Sequence, residues 1–72
     1  MNLNFKLPSE YTARFIDELT PNIQLVGYNL IGSSTSKGDW VVQKIDNTTS
    51  TQYTIITYAE GSWDNRATLN FK

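Results

Sequence analysis

The chain has no cysteine and no histidine among its 72 residues. The first absence excludes disulfide bridges, and the two together remove the usual ligands of a structural zinc site. They also remove the bases and thiols that build activated nucleophiles, apart from lysine-dependent variants. Charge of one sign is missing as well: seven acidic residues face six basic ones, the formal net charge is -1, and no stretch holds more than two like charges in a row. Phosphate backbones are bound through clustered Lys and Arg, so no nucleic-acid partner is expected. A weakly charged surface rich in Thr, Asn and Ser is equally unsuited to a membrane surface, and no membrane partner is expected either. The longest apolar run, residues 23 to 31, is interrupted by Gln24, Gly27 and Asn29, far from the roughly 20 apolar residues of a membrane helix. The opening "MNLNFKLP" has neither the basic start nor the apolar stretch of a secretory signal, so synthesis without export is the expectation.

A single domain of this length buries only about 60% of the surface its unfolded chain exposes. Small domains of this kind compensate with disulfides, a metal or association. Residue usage leaves association, and a homo-oligomer or a place in a larger assembly is expected. No enzyme is expected. The conceivable carboxylate pairs, Asp39 with Asp46 and Glu60 with Asp64, suit acid/base work in principle. A chain this short can hardly wall off a substrate cleft, so these acids read as solvated turn residues. Asp64 and Asn65 lack the spaced oxygen ligands of a calcium loop. The glycines flanking "SSTSK" lack the G-K-[ST] of a phosphate loop. No catalytic residue, cofactor site or metal site is expected.

What is present is β-forming sequence. "WVVQKID" (40 to 46) and "QYTIITYA" (52 to 59) are rich in β-branched and aromatic residues, with "NTTST" (47 to 51) between them as turn chemistry; together they read as a hairpin. Asn47-Thr48-Thr49 matches a glycosylation acceptor, but reads as part of that turn. In the first strand Trp40, Val42 and Lys44 share one face and Val41, Gln43 and Ile45 the other. In the second, Tyr53, Ile55 and Thr57 oppose Thr54, Ile56 and Tyr58. Neither face is cleanly polar, which predicts a sheet covered on both sides, by its own chain or by a neighbour. "IQLVGYNLIG" (23 to 32) fits a third strand, with Gly27 marking a bulge or a close backbone approach. "GSSTSKGD" (32 to 39) reads as a loop that is flexible unless something binds it, and "RATLNF" (66 to 71) as a short closing strand with Ala67, Leu69 and Phe71 on one side. "PSEYTARFIDELTP" (8 to 21) fits two patterns equally. Tyr11, Phe15 and Leu19 at i, i+4 and i+8 with Ser9 as N-cap suit a helix, while Tyr11, Ala13 and Phe15 against Thr12, Arg14 and Ile16 suit a strand.

Trp63, Asp64, Asn65 and Arg66 form a predicted structural corner. Asp and Asn side chains accept bonds from nearby backbone N–H groups, and Arg66 can fold over Trp63 or pair with Asp64. The remaining aromatic residues suit a thin core or a subunit interface, where Tyr and Trp are favoured.

The segments "GDWVVQKID", "YAEG" and "WDNRATLNF" together resemble a widespread group of short proteins encoded among the structural genes of tailed bacteriophages. Members carry a Gly-x-x-x-x-G segment, a Ser/Thr loop, a Trp opening an "I-x-x-I-D"-like strand, an "A-D-G" turn and a closing "W-D-N-R-A-x-L-x-Y". Gly27 to Gly32, Ser33 to Ser36, Trp40, Ile45-Asp46, Ala59-Glu60-Gly61 and Trp63 to Leu69 occupy these places. The likeness spans about residues 9 to 71, and Trp63-Asp64-Asn65-Arg66-Ala67 is its most specific part. The chain departs from the pattern in lacking several residues between the Ala-Glu-Gly turn and Trp63, and in carrying Phe71 where Tyr is common. The resemblance implies a virion structural protein, all-β, working by packing, and it implies strand for residues 10 to 19.

The combined expectation is one all-β domain over residues 1 to 72, a small antiparallel barrel or sandwich of about five strands. Its role would be a capsid decoration, neck or tail/fibre accessory subunit, with other virion proteins as partners. Trp40, Trp63 and Arg66 hold the fold, Trp63, Asp64, Asn65 and Arg66 make the structural corner, and Tyr28, Trp40, Tyr53, Tyr58, Ser34 and Lys37 are the interface candidates. The rival expectation is a small carbohydrate-binding adhesin that uses Trp40, Trp63 and Tyr58 on surface glycans. A third is a small-barrel binder of single-stranded nucleic acid.

Overall fold

The computed structural model describes residues 8–48 and 54–72. Four strands, β1 (Thr12–Thr20), β2 (Ile23–Asn29), β3 (Trp40–Asp46) and β4 (Ile55–Gly61), follow one another across a single antiparallel sheet in the order β1-β2-β3-β4. A 3-10 segment, Trp63–Thr68, comes after them. The chain is all-β, but the sheet is open, and a closed barrel or a two-sheet sandwich is not formed among the described residues. The β3 bounds coincide with the expected 40 to 46. In the expected 52 to 59 strand, Gln52 and Tyr53 lie outside the described residues, as does the tip of the hairpin turn.

Residues 12 to 20 are strand because they find a partner. β1 pairs with β2 from Thr12↔Asn29 to Thr20↔Ile23, and backbone pairing along nine residues outweighs a helical periodicity that would bury only one stripe. The connection is Pro21-Asn22, where the Asn22 N–H donates to the Thr20 hydroxyl at 3.2 Å in a side-chain-supported turn. Two register shifts, at Ala13/Phe15 and Glu18/Thr20, make Arg14 and Leu19 extra residues and bulge this edge strand.

Alternation then defines the two faces. Register puts Phe15 and Asp17, Leu25 and Gly27, Trp40, Val42 and Lys44, and Thr57 and Ala59 on one face. The opposite face carries Ile16, Val26 and Tyr28, Val41, Gln43 and Ile45, and Ile56 and Tyr58. The core lies on the first: Leu25, Trp40, Val42 and Trp63 form one buried cluster, with Leu69 and Phe71 packed against it. Trp63 rests directly on Gly27, where an added Cβ would stand 2.5 Å from Trp63 Cε3. Glycine is required there for room and not for backbone freedom. Of the two expectations for Gly27 the close approach is realised, since it meets the Trp63 ring; the neighbouring bulge belongs to β1, at Arg14.

The expected closing strand over 66 to 71 is corrected: residues 63 to 68 form 3-10 turns. Local chemistry explains this. The Asn65 N–H reaches the Ser62 carbonyl at 3.2 Å, the Thr68 hydroxyl donates to the Asn65 carbonyl at 3.0 Å, and Asp64 sits in the first turn, where an anion is favoured. The chain straightens only beyond this, and Lys72 exchanges two backbone bonds with Tyr58, at 2.9 and 3.2 Å, on the outer edge of β4. Ala67, expected to share a face with Leu69 and Phe71, is exposed.

Candidate contact surface

Trp40 is 0% and Trp63 7% exposed. Phe15 stacks on both, with ring centroids 5.6 Å from Trp40 and 5.7 Å from Trp63. Neither indole presents a ring face to solvent, which corrects two expectations. Trp40 is a core residue and offers nothing to a partner, and a sugar platform built on Trp40 and Trp63 does not exist.

The corner residues divide by role. Arg66 lies over the Trp63 ring at 4.7 Å and donates to the Trp63 carbonyl at 3.1 Å. Its carboxylate partner is Asp17 on β1, at 2.9 Å with both side chains about one-third exposed; Asp64 stands in solvent. This pair ties the 3-10 segment to the far edge of the sheet across 49 positions of sequence. Asp17 is the residue that reading along the chain misses, because only the β1–β2 register brings it under Arg66. The Lys44 ammonium, on the same face, stands over the Phe71 ring at 5.4 Å, a cation–π contact.

The 32 to 39 segment, expected to be flexible unless something binds it, is anchored by its own chain. The Trp40 indole N–H donates to the Ser34 carbonyl at 2.8 Å, and the Asp64 N–H to the Thr35 carbonyl at 3.1 Å. Asn29, fully buried, accepts from the Leu30 N–H through Oδ1 at 2.7 Å and donates through Nδ2 to Asp39 at 3.0 Å. That bond, with the nearby Lys37 cation, holds the Asp39 carboxyl below its usual range. Ser34 is exposed and bonded to Ser36, and Lys37 is exposed and pairs loosely with Asp39 at 3.8 Å. Gly32, at φ 90, permits a turn that presents Ile31 at 82% exposure. Asp39 and Asp46, a conceivable pair on sequence but expected as turn residues, stand at opposite ends of β3: Asp39 precedes the strand and Asp46 ends it, where it accepts from the Thr48 N–H at 2.8 Å.

Tyr28 and Tyr58 stand on the opposite face of the sheet, on β2 and β4, and Gln43 between them on β3 joins the two. The Tyr28 hydroxyl donates to Gln43 Oε1 at 3.3 Å, and Gln43 Nε2 donates to the Tyr58 hydroxyl at 3.0 Å. Alternation puts Tyr11 on this side too, where its hydroxyl donates to the Asp39 carbonyl at 3.1 Å. Burial first, then the nearby charges of Asp39, Glu60 and Glu10, push that phenol upward. Tyr53 lies outside the described residues. The outcome is a surface of half-buried Tyr, Gln and Ile side chains held in position by their own hydrogen bonds, of the composition common at protein contacts. Gln43 was absent from the sequence-derived candidates; its place directly between two tyrosines is visible only once register is known.

Comparison with protein families, with characterised proteins and with solved structures finds no match to this chain.

Proposed function

We propose that the chain is a non-enzymatic structural subunit of a tailed-phage particle, a capsid decoration, neck or tail/fibre accessory protein that works by packing against its own copies and other virion proteins. The virion setting comes from the Trp63-Asp64-Asn65-Arg66-Ala67 resemblance. The packing role is carried by one structural observation: the sheet is apolar on both faces, and among the described residues the 3-10 segment and the C-terminal stretch lie on one, while on the other Val26 and Val41 are buried but Tyr28, Ile45 and Ile56 stay half-buried. The other face keeps an ordered Tyr28–Gln43–Tyr58 row with Ile45 and Ile56 beside it, suited to burial under a neighbour. One small buried cluster among the described residues, with no disulfide to support it, gives modest stability, which binding to partners raises by mass action.

The test is to express the gene in its phage context and to analyse purified particles by mass spectrometry and electron microscopy. Stoichiometric copies on the particle are expected. Absence from particles, together with no binding to isolated head or tail components, would remove the proposal.

A further inference from the structure

The turn that precedes β1 aims the chain back along it. The Tyr11 N–H donates to the Pro8 carbonyl at 3.0 Å, closing a four-residue turn with Ser9 and Glu10 at its tip, and β1 starts directly after, at Thr12. A bond of that pattern ends a two-residue hairpin loop. Pro8 has no N–H to return, so one bond is all this pair can make. Among the described residues no strand lies on the outer side of β1, and Phe15 is still 38% exposed although it stacks on both tryptophans. Residues 1–7, outside the described part of the chain, read "MNLNFKL". Met1, Leu3, Phe5 and Leu7 alternate with Asn2, Asn4 and Lys6 without a break, the pattern of a strand with one side buried.

We propose that the occupant of the β1 edge is residues 1–7 of the same chain, paired antiparallel with β1 as a fifth strand. Parity carries the argument. A two-residue loop sets Leu7 opposite Thr12 and Lys6 opposite Ala13. The β1–β2 register puts Ala13, opposite Tyr28, on the tyrosine face, and Thr12 on the tryptophan face. Every apolar residue of the segment therefore falls on the core face and every polar one on the other; a slip of one residue would reverse both sets. Phe5 comes to the Arg14 bulge, where the guanidinium stands 5.7 Å from the Phe15 ring, and extends the aromatic stack at its exposed margin. Ser9 and Glu10 keep negative φ, and such turns splay a hairpin; the bulge directly after raises the twist of β1 and offsets this. Hydrogen bonding agrees. The Tyr11 N–H points to Pro8, so alternation turns the Ala13 N–H the same way, toward the Lys6 carbonyl. Laid over a face instead, the segment would leave the backbone groups of both strands unpaired. The inference goes beyond the virion reading and does not rest on it: with this edge closed, the tyrosine face is what neighbours meet.

NMR of the full chain tests this. Expected are a contact between the Leu7 and Thr12 α-protons, which a pair without mutual hydrogen bonds brings close, and slow exchange of the Ala13 amide. Phe5→Asp should speed that exchange about tenfold or more and lower the urea midpoint, whereas Asn4→Asp, on the polar side, should change neither. In an equal mixture of isotope-labelled and unlabelled protein the Leu7–Thr12 contact should arise within single molecules. An Ala13 amide that exchanges at the unprotected rate in the wild type, with no Leu7–Thr12 contact, overturns the inference. So does Asn4→Asp as damaging as Phe5→Asp, which would reverse the parity, or a contact between molecules, which would make the strand a neighbour's.

Discussion

The two faces of one sheet solve different problems with the same alternating strands. The tryptophan face is closed by the chain itself: Trp63 needs the missing side chain of Gly27 to sit down, and Arg66 and Asp17 then hold it in place. The tyrosine face is tied together laterally by Gln43, and there Val26 and Val41 are buried while Tyr28, Tyr58, Ile45 and Ile56 remain half-buried. Stability should therefore be concentrated on the first face and association on the second.

Substitutions can break or sharpen this contrast. Trp40→Ala removes the largest fully buried side chain and should cost about 3–5 kcal/mol, enough to unfold a domain of this size; a melt within a few degrees of wild type would mean that the core lies elsewhere. Gly27→Ala forces a methyl into the Trp63 ring and should cost about 1–3 kcal/mol, read by urea denaturation. If it cost less than a change on the tyrosine face, the contrast would fail. Arg66→Met keeps some packing over Trp63 and breaks the Asp17 pair. Because both partners are about one-third exposed, the loss should be near 1 kcal/mol and should shrink in high salt. Tyr58→Phe removes the acceptor for Gln43 Nε2 and should cost less than about 1 kcal/mol, with any larger effect appearing in association assays.

The smallest effect is in acid. Bonds to Asn29 and Thr48 lower the Asp39 and Asp46 carboxyls below their ordinary 3.8. A depressed folded-state value stabilises the fold above 3.8, and that contribution disappears as pH falls through the lowered values. Asp39→Asn should therefore flatten the loss of stability below about pH 4. An unchanged acid limb in chemical denaturation would show that the Asn29 bond contributes nothing.

The parts of the fold that depend on neighbouring residues were legible. Period-two alternation in "WVVQKID" identified β3 and sorted Trp40 and Val42 from Val41 and Gln43, and a lone glycine inside an apolar strand pointed to the close approach now filled by Trp63. Three parts were not legible. Residues 12 to 20 satisfied helix and strand patterns equally, and only pairing with β2 separated them. Residues 66 to 68 read as the start of a strand because the bonds that coil them, from the Asn65 N–H and the Thr68 hydroxyl, end on backbone carbonyls and leave weak sequence signals. The 32 to 39 segment looked free because its anchors, Asn29, Trp40 and Asp64, are recognisable as anchors only when the chain has folded around them.

By itself the amino-acid sequence determined that this would be a small antiparallel β domain with two-sided strands and no disulfide, since composition and alternation act through adjacent residues. Tertiary structure alone decided which face the 3-10 segment covers, that the sheet of the described residues is open, that Arg66 pairs with Asp17, and that the β4 edge takes the Lys72 backbone. Each of these depends on register between distant segments, and a slip of one residue would exchange the two faces.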